Sequence, residues 1–553
     1  MNAGTKKFDL WSVIKLLFVG IFGLFLVYPL FNIFKEAVIS PDGHFTLEQF
    51  VKFFSDPYYS MTIWNSLKVT VAVTLGCLLI GVPFSYFYSF YRLKGTKFLF
   101  ISSLLCCMSA PFIGAYSWIM LLGRSGVVTK FLKAAFGIKL GSSIYGFSGI
   151  VLVQVLKFYP LVLIYMNGAF RNIDNSLIEA AENMGCTGLK RFFKIVIKLT
   201  MPTLLAAALL VFMRAFADFG TPLLIGEGYR TFTVEIYNQY MGENGTDHSF
   251  AAAISILAVA VTAIILLIQK YATNHYKFSM SALHPVEKKK ATGIRGILMH
   301  VYCYGVVAFA ILPQLYIIYL SFRNCKGSIF KEGYSLNNYI SGLDKYLFRS
   351  IGNTLVFGVI SLIIIIVFSI LIAYIVVRRA NVISNAIDVV ATIPYVIPGA
   401  VVGIAMIISF NKKPLNIVGT MWIMILALVI RRIPYTIRSA TATLMSIPMS
   451  IEEASVSLGT SKMKTLMKVT VPMMASGITS GAILSWVAII TELSSGIILY
   501  NNKNITLTVA TYVQIVRGNY GVACAFATVL TVFTVISMII YLLVSKSEDN
   551  VKL

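Results

Sequence analysis

Residues Gly358–Val377 read GVISLIIIIVFSILIAYIVV, a stretch that contains no charged side chain. A helix of about 20 residues crosses the ~30 Å hydrocarbon core of a bilayer. A strand of a membrane β-barrel would instead alternate apolar and polar residues over about ten positions. Because the stretch is apolar on every face, it predicts a membrane-spanning helix.

The composition of the whole chain is typical of a membrane protein. Of its 553 residues, 58% are hydrophobic and 12% are charged, whereas about 25% of residues are charged in soluble proteins. We therefore expect an all-α integral membrane fold. Its apolar stretches predict twelve spans, at 13–34, 64–90, 98–123, 146–168, 201–224, 249–271, 297–321, 352–377, 385–409, 419–440, 473–499 and 518–544.

The formal charge of +24 is spread over short basic clusters between the apolar stretches. Such clusters are typical of cytoplasmic loops beside anionic lipid, and their distribution argues against a nucleic-acid partner. The clusters at Lys6–Lys7, Lys190–Lys198 and Lys288–Lys290 all fall on one face of the twelve-span arrangement. We therefore expect both termini to be cytoplasmic, since twelve crossings return the chain to the side where it began.

The cysteines and histidines do not predict a metal site or a catalytic centre. They have neither metal-ligand spacing nor a hydrolase constellation. The cysteines are Cys77, Cys106, Cys107, Cys186, Cys303, Cys325 and Cys524, and the histidines are His44, His248, His275, His284 and His300. An enzyme is therefore not expected, and no metal ligands are assigned.

An internal repeat divides the chain. Glu179–Gly185 reads EAAENMG and Glu453–Gly459 reads EASVSLG, 274 residues later. The same offset places Asp218 on Glu492, and each motif follows the fourth span of six. These observations predict a first half at 1–283, a cytoplasmic linker at 284–296 and a second half at 297–553, with both halves parallel in the membrane.

The repeated motif resembles the E-A-A-x-x-x-G signature of binding-protein-dependent importer permeases, which have the type I ABC importer fold. The resemblance implies coupling loops at 171–200 and 444–471, each with a short helix that docks on an ATPase. The coupling residues it implies are Glu179, Ala180, Ala181, Gly185, Glu453, Ala454, Ser455 and Gly459. We expect the short helices to begin at Asp174-Asn-Ser and Ser450-Ile-Glu.

The first copy of the motif departs from the family pattern after its glycine. Lys198 stands where a proline is expected and Pro202 follows one turn later, whereas the second copy has Pro472 at the expected place. This departure predicts a shifted bend between the first loop and span 5.

The resemblance also implies partners. These are two copies of a cytoplasmic ABC ATPase and an extracytoplasmic substrate-binding protein, in the cytoplasmic membrane of a bacterium. The chain contains no G-x-x-x-x-G-K sequence followed by Ser or Thr, so no phosphate-binding loop of its own is expected. We expect no cofactor in this chain, with ATP used by the partner subunits.

The cargo is less specified by the sequence. Four stretches are similar to ferric iron permeases: Arg171–Glu179, Phe216–Pro222, Arg431–Arg438 and Thr491–Ser495. This resemblance implies ferric iron as cargo, while permeases for 2-aminoethylphosphonate, thiamine or polyamines have the same design. A secondary transporter is the alternative class, but Tyr91–Lys97 lacks the G-x-x-x-D-R-x-G-R pattern of its major group.

Four charged residues within the spans are candidates for the translocation path. A carboxylate or guanidinium inside a membrane usually faces a bundle interior or a water-filled path. Asp218 and Glu492 could bind a hard cation transiently, or they could be structural or gating groups at a helix break. Arg431 and Arg432 could line a path for an anion, or they could form structural ion pairs.

Prolines predict interruptions in two spans. Pro394 and Pro398 indicate that span 9 is bent or broken, and Pro111 with Gly114 indicates the same for span 3.

Overall fold

The computed structural model describes residues 10–40, 42–109, 111–138, 144–242, 247–275, 287–344, 346–395 and 397–549. α-Helices make up most of this part of the chain, as the apolar pattern predicts. Both chain ends, for which we predict a cytoplasmic position, lie outside the described residues, as do residues 284–286 of the predicted linker.

Seven of the described helices are long and apolar enough to cross a membrane without interruption. Each coincides with a predicted span, and most run a few residues beyond the predicted bounds. In chain order they are Leu10–Val38, which contains a π-helical turn at Gly23–Val27, then Pro57–Phe90, Phe147–Arg171, His248–His275, Gly293–Ser321, Leu347–Arg378 and Tyr520–Asp549.

Spans 3 and 9 are broken where the prolines predict a break. The helices Thr96–Met108 and Pro111–Leu122 belong to a pair bent by 100°. The helix Val382–Thr392, a 3-10 turn at Ile393–Tyr395 and the helix Gly399–Phe410 form a pair bent by 110°. Proline lacks the amide hydrogen that a continuous helix needs, which explains why both breaks fall at prolines.

Spans 5 and 11 are bent at their start. Gly188–Leu199 meets Met201–Phe216 at 77°, and Lys462–Met473 meets Ala475–Ile490 at 70°. Both bends fall at the same position of the repeat, so the expectation of a shifted bend in the first half is wrong. Pro202 occupies the first turn of its helix, where no amide hydrogen is required, and therefore leaves the bend in place.

The predicted spans 5 and 11 also end later than the observed helices. The helix Met201–Phe216 stops before Asp218, and Ala475–Ile490 stops before Glu492. Short helices follow at Gly220–Ile225 and Gly496–Leu499. The sequence missed these interruptions because the residues around them remain apolar.

The helix Met421–Ser446 accounts for the twelfth predicted span. At 26 residues it is long enough to cross a bilayer. It is not among the apolar helices because any 18-residue window of it contains Arg431, Arg432 and Arg438. Taken with the seven continuous and four bent spans, it gives the twelve crossings that the sequence predicts.

Shorter elements connect the spans. The remaining helices are Glu48–Ser55, Val127–Phe136, Asn175–Asn183, Phe232–Met241, Asn337–Asp344, Met449–Ser457 and Leu507–Val516. The strand Tyr91–Arg92 pairs in parallel with Lys289–Lys290, and Arg323–Lys326 forms an antiparallel hairpin with Ile329–Tyr334.

The repeat extends well beyond the two motifs. The helix Asn175–Asn183 begins and ends 274 residues before Met449–Ser457. The same offset relates the π-helical turns Phe192–Val196 and Leu466–Thr470. Both halves therefore have the same local structure from the loop helix to the end of span 5 or 11.

The compact units of the fold exchange one helix each relative to the sequence halves. One unit comprises residues 1–49, 243–256 and 321–553, within which span 1 packs with second-half helices. There, the ring of Trp11 stacks on Tyr374 at 4.6 Å, and Asn32 donates a hydrogen bond of 2.9 Å to Ser409. The predicted division at 284–296 describes the sequence repeat, which the packing does not follow.

The other unit comprises residues 50–242 and 257–320, and in it span 7 packs with first-half helices. Tyr302 donates a hydrogen bond of 2.9 Å to the carbonyl of Ile80. Its central contact is between Pro57–Phe90 and Phe147–Arg171. A Cβ atom on Gly81 would lie 2.6 Å from Cβ of Val162, so only glycine permits this approach of the two backbones.

Candidate functional site

The first loop helix, Asn175–Asn183, has a defined start and end. The Asp174 carboxylate accepts a hydrogen bond of 3.0 Å from the amide of Ser176, as its predicted capping role requires. Gly185 has φ of +73°, and the amide of Cys186 donates to the carbonyl of Ala181 at 2.8 Å. This is a Schellman ending, which requires a residue that tolerates positive φ.

The second loop helix, Met449–Ser457, ends in the same way. Gly459 has φ of +87°, and the amide of Thr460 donates to the carbonyl of Ser455 at 3.2 Å. Its start differs from the prediction, because the helix begins at Met449 after Pro448 and no side chain caps it. Proline at this position sets the backbone for helix entry without a capping hydroxyl.

Both loop helices present the motif residues to the surface. Glu179, Ala180 and Gly185 are exposed, and so are their counterparts Glu453, Ala454 and Gly459, while Ala181 is buried and Ser455 is half-buried. An apolar side chain stands immediately before each glycine. Met184 and Leu458 are each 87% exposed. Each loop therefore offers the same combination of acid, small residues and one large apolar side chain.

Glu182 holds the first loop helix against its own unit. Its carboxylate contacts the guanidinium of Arg191 and accepts a hydrogen bond of 2.7 Å from Nζ of Lys289. Lys289 lies in the strand that pairs with Tyr91–Arg92, so the linker is joined to both the first loop and the end of span 2. Sequence reasoning quoted Glu182 within the motif but assigned it no partner.

The neighbouring Lys288 packs on the end of span 2. Its Nζ donates a hydrogen bond of 3.0 Å to the carbonyl of Tyr88 and lies 5.1 Å from the centre of that ring. Burial, with a smaller contribution from Arg171, lowers the pKa of Lys288. The basic linker is therefore part of the packed structure and not only a solvated connector.

Glu452 holds the second loop helix, from a position that is not equivalent to Glu182. The buried Glu452 carboxylate accepts hydrogen bonds of 2.8 Å from Nε of Arg378 and 3.2 Å from the hydroxyl of Tyr374. Arg378 also donates to the carbonyl of Ile447 at 2.7 Å, just after the helix Met421–Ser446. The sequence analysis missed this contact.

Replacing Glu452 by glutamine is expected to loosen the second loop helix, because Arg378 then loses its charged partner. We expect the variant to lose about 1–3 kcal/mol of stability, the usual range for a buried hydrogen bond to a charged group. The melting temperature of the purified protein and tryptic cleavage after Lys462 measure the change. Glu453→Gln is the matched control, since Glu453 is exposed; equal melting temperatures for the two variants would contradict the assignment.

Within the spans, the structure brings together three of the four charged candidates. Arg431 and Arg432 both contact the carboxylate of Glu492. One carboxylate oxygen also accepts hydrogen bonds from the amide of Ser495 at 3.0 Å and from its hydroxyl at 3.1 Å. Glu492 therefore neutralises buried guanidinium groups and starts the turn that leads to the helix Gly496–Leu499.

Asp218 has a different environment from its counterpart Glu492. Its carboxylate accepts a hydrogen bond of 3.0 Å from Nε2 of Gln154, and its carbonyl accepts one of 3.1 Å from the hydroxyl of Thr233. Gln154 was not predicted, because an uncharged amide in an apolar span gives no signal in the sequence. A role of both acids in a translocation path stays a prediction.

Within the described part of the chain, no group of three or more His, Cys, Asp and Glu side chains could hold a metal ion. Both oxygens of Glu492 contact guanidinium groups, which leaves the carboxylate little capacity to bind a cation. The geometry therefore favours the structural interpretation of this group over the cation-ligand interpretation.

Two repeated sets of membrane-crossing helices, each with the same exposed loop helix after its fourth span, define the class of membrane transport permeases. The chain belongs to the family described as the binding-protein-dependent transport system inner membrane component, whose model matches residues 10–276 and 365–549. It is thus a multi-pass protein of the inner membrane with the type I permease fold.

Known relatives differ in the cargo that their names state. The chain is 29% identical over 533 residues to the ferric transport system permease protein FbpB of Actinobacillus pleuropneumoniae, which covers 95% of this chain and 76% of the relative. It is 24% identical over 256 residues to the putative 2-aminoethylphosphonate transport system permease protein PhnU of Salmonella typhimurium, covering 46% of this chain and 88% of that protein.

A solved structure of a bacterial alginate ABC transporter in complex with alginate pentasaccharide-bound periplasmic protein is also similar. It is 18% identical, with a TM-score of 0.42, and covers 50% of this chain and 97% of that chain.

Proposed function

We propose that this permease imports ferric iron, delivered by an extracytoplasmic binding protein and driven by two copies of a cytoplasmic ABC ATPase. The observation that supports the ATPase partnership is the pair of loop helices, which have the same bounds in the repeat and expose the same kinds of residue. Two equivalent docking elements suit two copies of one partner. In this proposal, both loops and both chain termini face the cytoplasm, and ATP is bound by the partner alone.

Each loop helix is proposed to act as a lever. An ATPase that grips Glu179–Gly185 or Glu453–Gly459 would move the helix as a rigid body, because its ends are fixed by an aspartate cap or proline and by a glycine turn. The movement would pass to span 5 or 11 through the bend that follows each loop, and the Glu182 and Glu452 contacts would pass it to neighbouring helices. The result is alternating access of a path between the two membrane faces.

Iron is proposed as cargo because the ferric permease relative covers nearly the whole chain. The cargo would be released by the binding protein and would pass buried polar groups such as Asp218. Phosphonate is the second candidate, favoured by a specific observation: the Glu492 cluster contains two guanidinium groups and only one carboxylate. Polyamine and thiamine would carry positive charge past this cluster and are disfavoured by it.

Uptake into vesicles tests the proposal. The permease is reconstituted with the ATPase and binding protein encoded beside its gene, and ATP is placed on the side of the ATPase. We expect ATP-dependent accumulation of radiolabelled iron, with no accumulation when either partner is omitted. Accumulation of 2-aminoethylphosphonate without iron would replace the cargo, and accumulation without any ATPase would overturn the proposed mechanism.

A further inference from the structure

The Glu492 cluster buries more positive than negative charge. The side chains of Arg431, Arg432 and Glu492 are 10%, 12% and 3% exposed. Both guanidinium groups share the single carboxylate, and among the described residues no further acid forms an ion pair with either arginine. The Nε atoms of both arginines are buried without a hydrogen-bond partner in the described structure. An unbalanced buried charge is strongly unfavourable unless another group compensates it.

The excess charge faces the start of a helix. The 12-residue helix Gly399–Phe410 begins at the break in span 9, after Pro398. A Cβ atom on Gly399 would lie 2.7 Å from Cζ of Arg431, so the guanidinium lies directly against the first helical residue. The first amide groups of a helix have no partner within the helix and carry partial positive charge. Two sources of positive potential therefore converge at this position.

The first half repeats the arrangement independently. Lys157 precedes Arg431 by the repeat offset of 274 residues, and the helix Pro111–Leu122 follows the break in span 3 as Gly399–Phe410 follows that in span 9. Lys157 lines a small cavity together with Ser109, at that break, and Gly114 in the first turn of the helix. A basic side chain of the fourth span thus lies beside the same helix start in both halves.

We propose that the N-terminus of the helix Gly399–Phe410, with Arg431 and Arg432, is a binding site for a small oxyanion group, namely a carboxylate, phosphate or phosphonate. Exposed amide groups and guanidinium groups are the donors that such anions prefer. Glu492 acts as a counter-charge that orients both arginines and limits the net charge of the site to one unit. A site with both guanidinium charges uncompensated would hold an anion more tightly, and release would be slower.

The oxyanion can come from two sources, an anionic group of the transported cargo or a free anion such as inorganic phosphate. In the first case, the inference rests on the proposed function and narrows the cargo to one that crosses with negative charge, including a metal ion chelated by an anion. In the second case, the site is independent of the cargo and binds an anion that stabilises the membrane domain.

Thermal unfolding of the permease–ATPase complex in lipid nanodiscs tests the site, with inorganic phosphate as the probe and chloride at equal ionic strength as the reference. A ligand that binds the folded state stabilises it in proportion to the logarithm of its concentration above Kd. We expect a phosphate-dependent rise in melting temperature for the wild type. Arg431→Gln should abolish the rise while keeping the wild-type melting temperature in chloride, since it leaves Arg432 and Glu492 as a balanced pair.

Arg438→Gln is the matched control, because Arg438 lies on the same helix and pairs with Asp388 at a partly exposed position. This variant should keep the full phosphate response. An ion cluster that serves structure alone predicts the opposite pattern, namely a lower melting temperature for Arg431→Gln in chloride and the same phosphate response as the wild type. Either that pattern or a wild type that does not respond to phosphate overturns the proposal.

Gly399→Val provides a second test should Arg431→Gln not fold. It places a side chain against the Arg431 guanidinium and leaves the charge unchanged, so an undiminished phosphate response would overturn the site. Competition separates the two anion sources. If phosphate inhibits cargo-stimulated ATP hydrolysis, the site takes a group of the cargo, and if hydrolysis is unaffected, it takes a free anion. Loss of coupling with an intact phosphate response would contradict the proposed function and leave the site standing.

Discussion

Replacing Glu492 by alanine is expected to lower the stability of the permease by about 3–5 kcal/mol, the usual loss when one partner is removed from a buried ion pair. The loss should reach the upper part of this range, since two guanidinium groups share this carboxylate. The amide of Ser495 also loses its acceptor, which weakens the turn after span 11. The yield of folded protein in the membrane and its melting temperature in detergent measure the effect.

The matched control is Asp388→Ala, which removes the acid partner of Arg438. That guanidinium is half-exposed and pairs with Asp388 at 3.2 Å, so water can replace the lost carboxylate. Exposed pairs contribute about 0–1 kcal/mol, and we expect a correspondingly small change. Adding Arg432→Gln to Glu492→Ala should recover part of the lost stability by removing one unpaired charge. Equal losses for the two alanine variants would show that Glu492 is not the counter-charge described above.

The membrane-crossing helices could be predicted from the sequence because a bilayer requires a long apolar segment whatever its neighbours are. Even Met421–Ser446 was found, since its apolar first turns precede the arginines. The exchange of spans 1 and 7 between the packing units could not be predicted. The apolar pattern of Leu10–Val38 indicates that the helix crosses the membrane, but it does not indicate which other helix Trp11 or Asn32 contacts.

The candidate site was predicted where it depends on local sequence. Asp174, Gly185 and Gly459 act on their own helices, and their positions in the repeat show where each loop helix lies. The contacts that hold these helices join residues distant in sequence, as Glu452 and Arg378 show. Two adjacent glutamates, Glu452 and Glu453, are equivalent in composition, and only the helical phase of the folded chain decides that one is buried and the other exposed.

Introducing aspartate at both Met184 and Leu458 is expected to abolish coupling to the ATPase while leaving the isolated permease folded. Each side chain is 87% exposed, so its replacement removes little buried surface from this chain. In the proposed complex, each would lie in the contact with an ATPase subunit, where an unpaired carboxylate is strongly unfavourable. We expect ATPase binding to weaken by about tenfold or more per loop, which corresponds to at least ~1.4 kcal/mol.

Val382→Asp is the matched control for this prediction. Val382 is 85% exposed and begins the helix Val382–Thr392 on the predicted cytoplasmic face, outside both loops. Aspartate in the first turn of a helix is electrostatically favourable, so the control should fold, bind the ATPase and transport normally. Co-purification of the ATPase and ATP-dependent uptake are measured for all variants. If the double variant retained both at wild-type level, the loop helices could not be the elements through which the ATPase moves the permease.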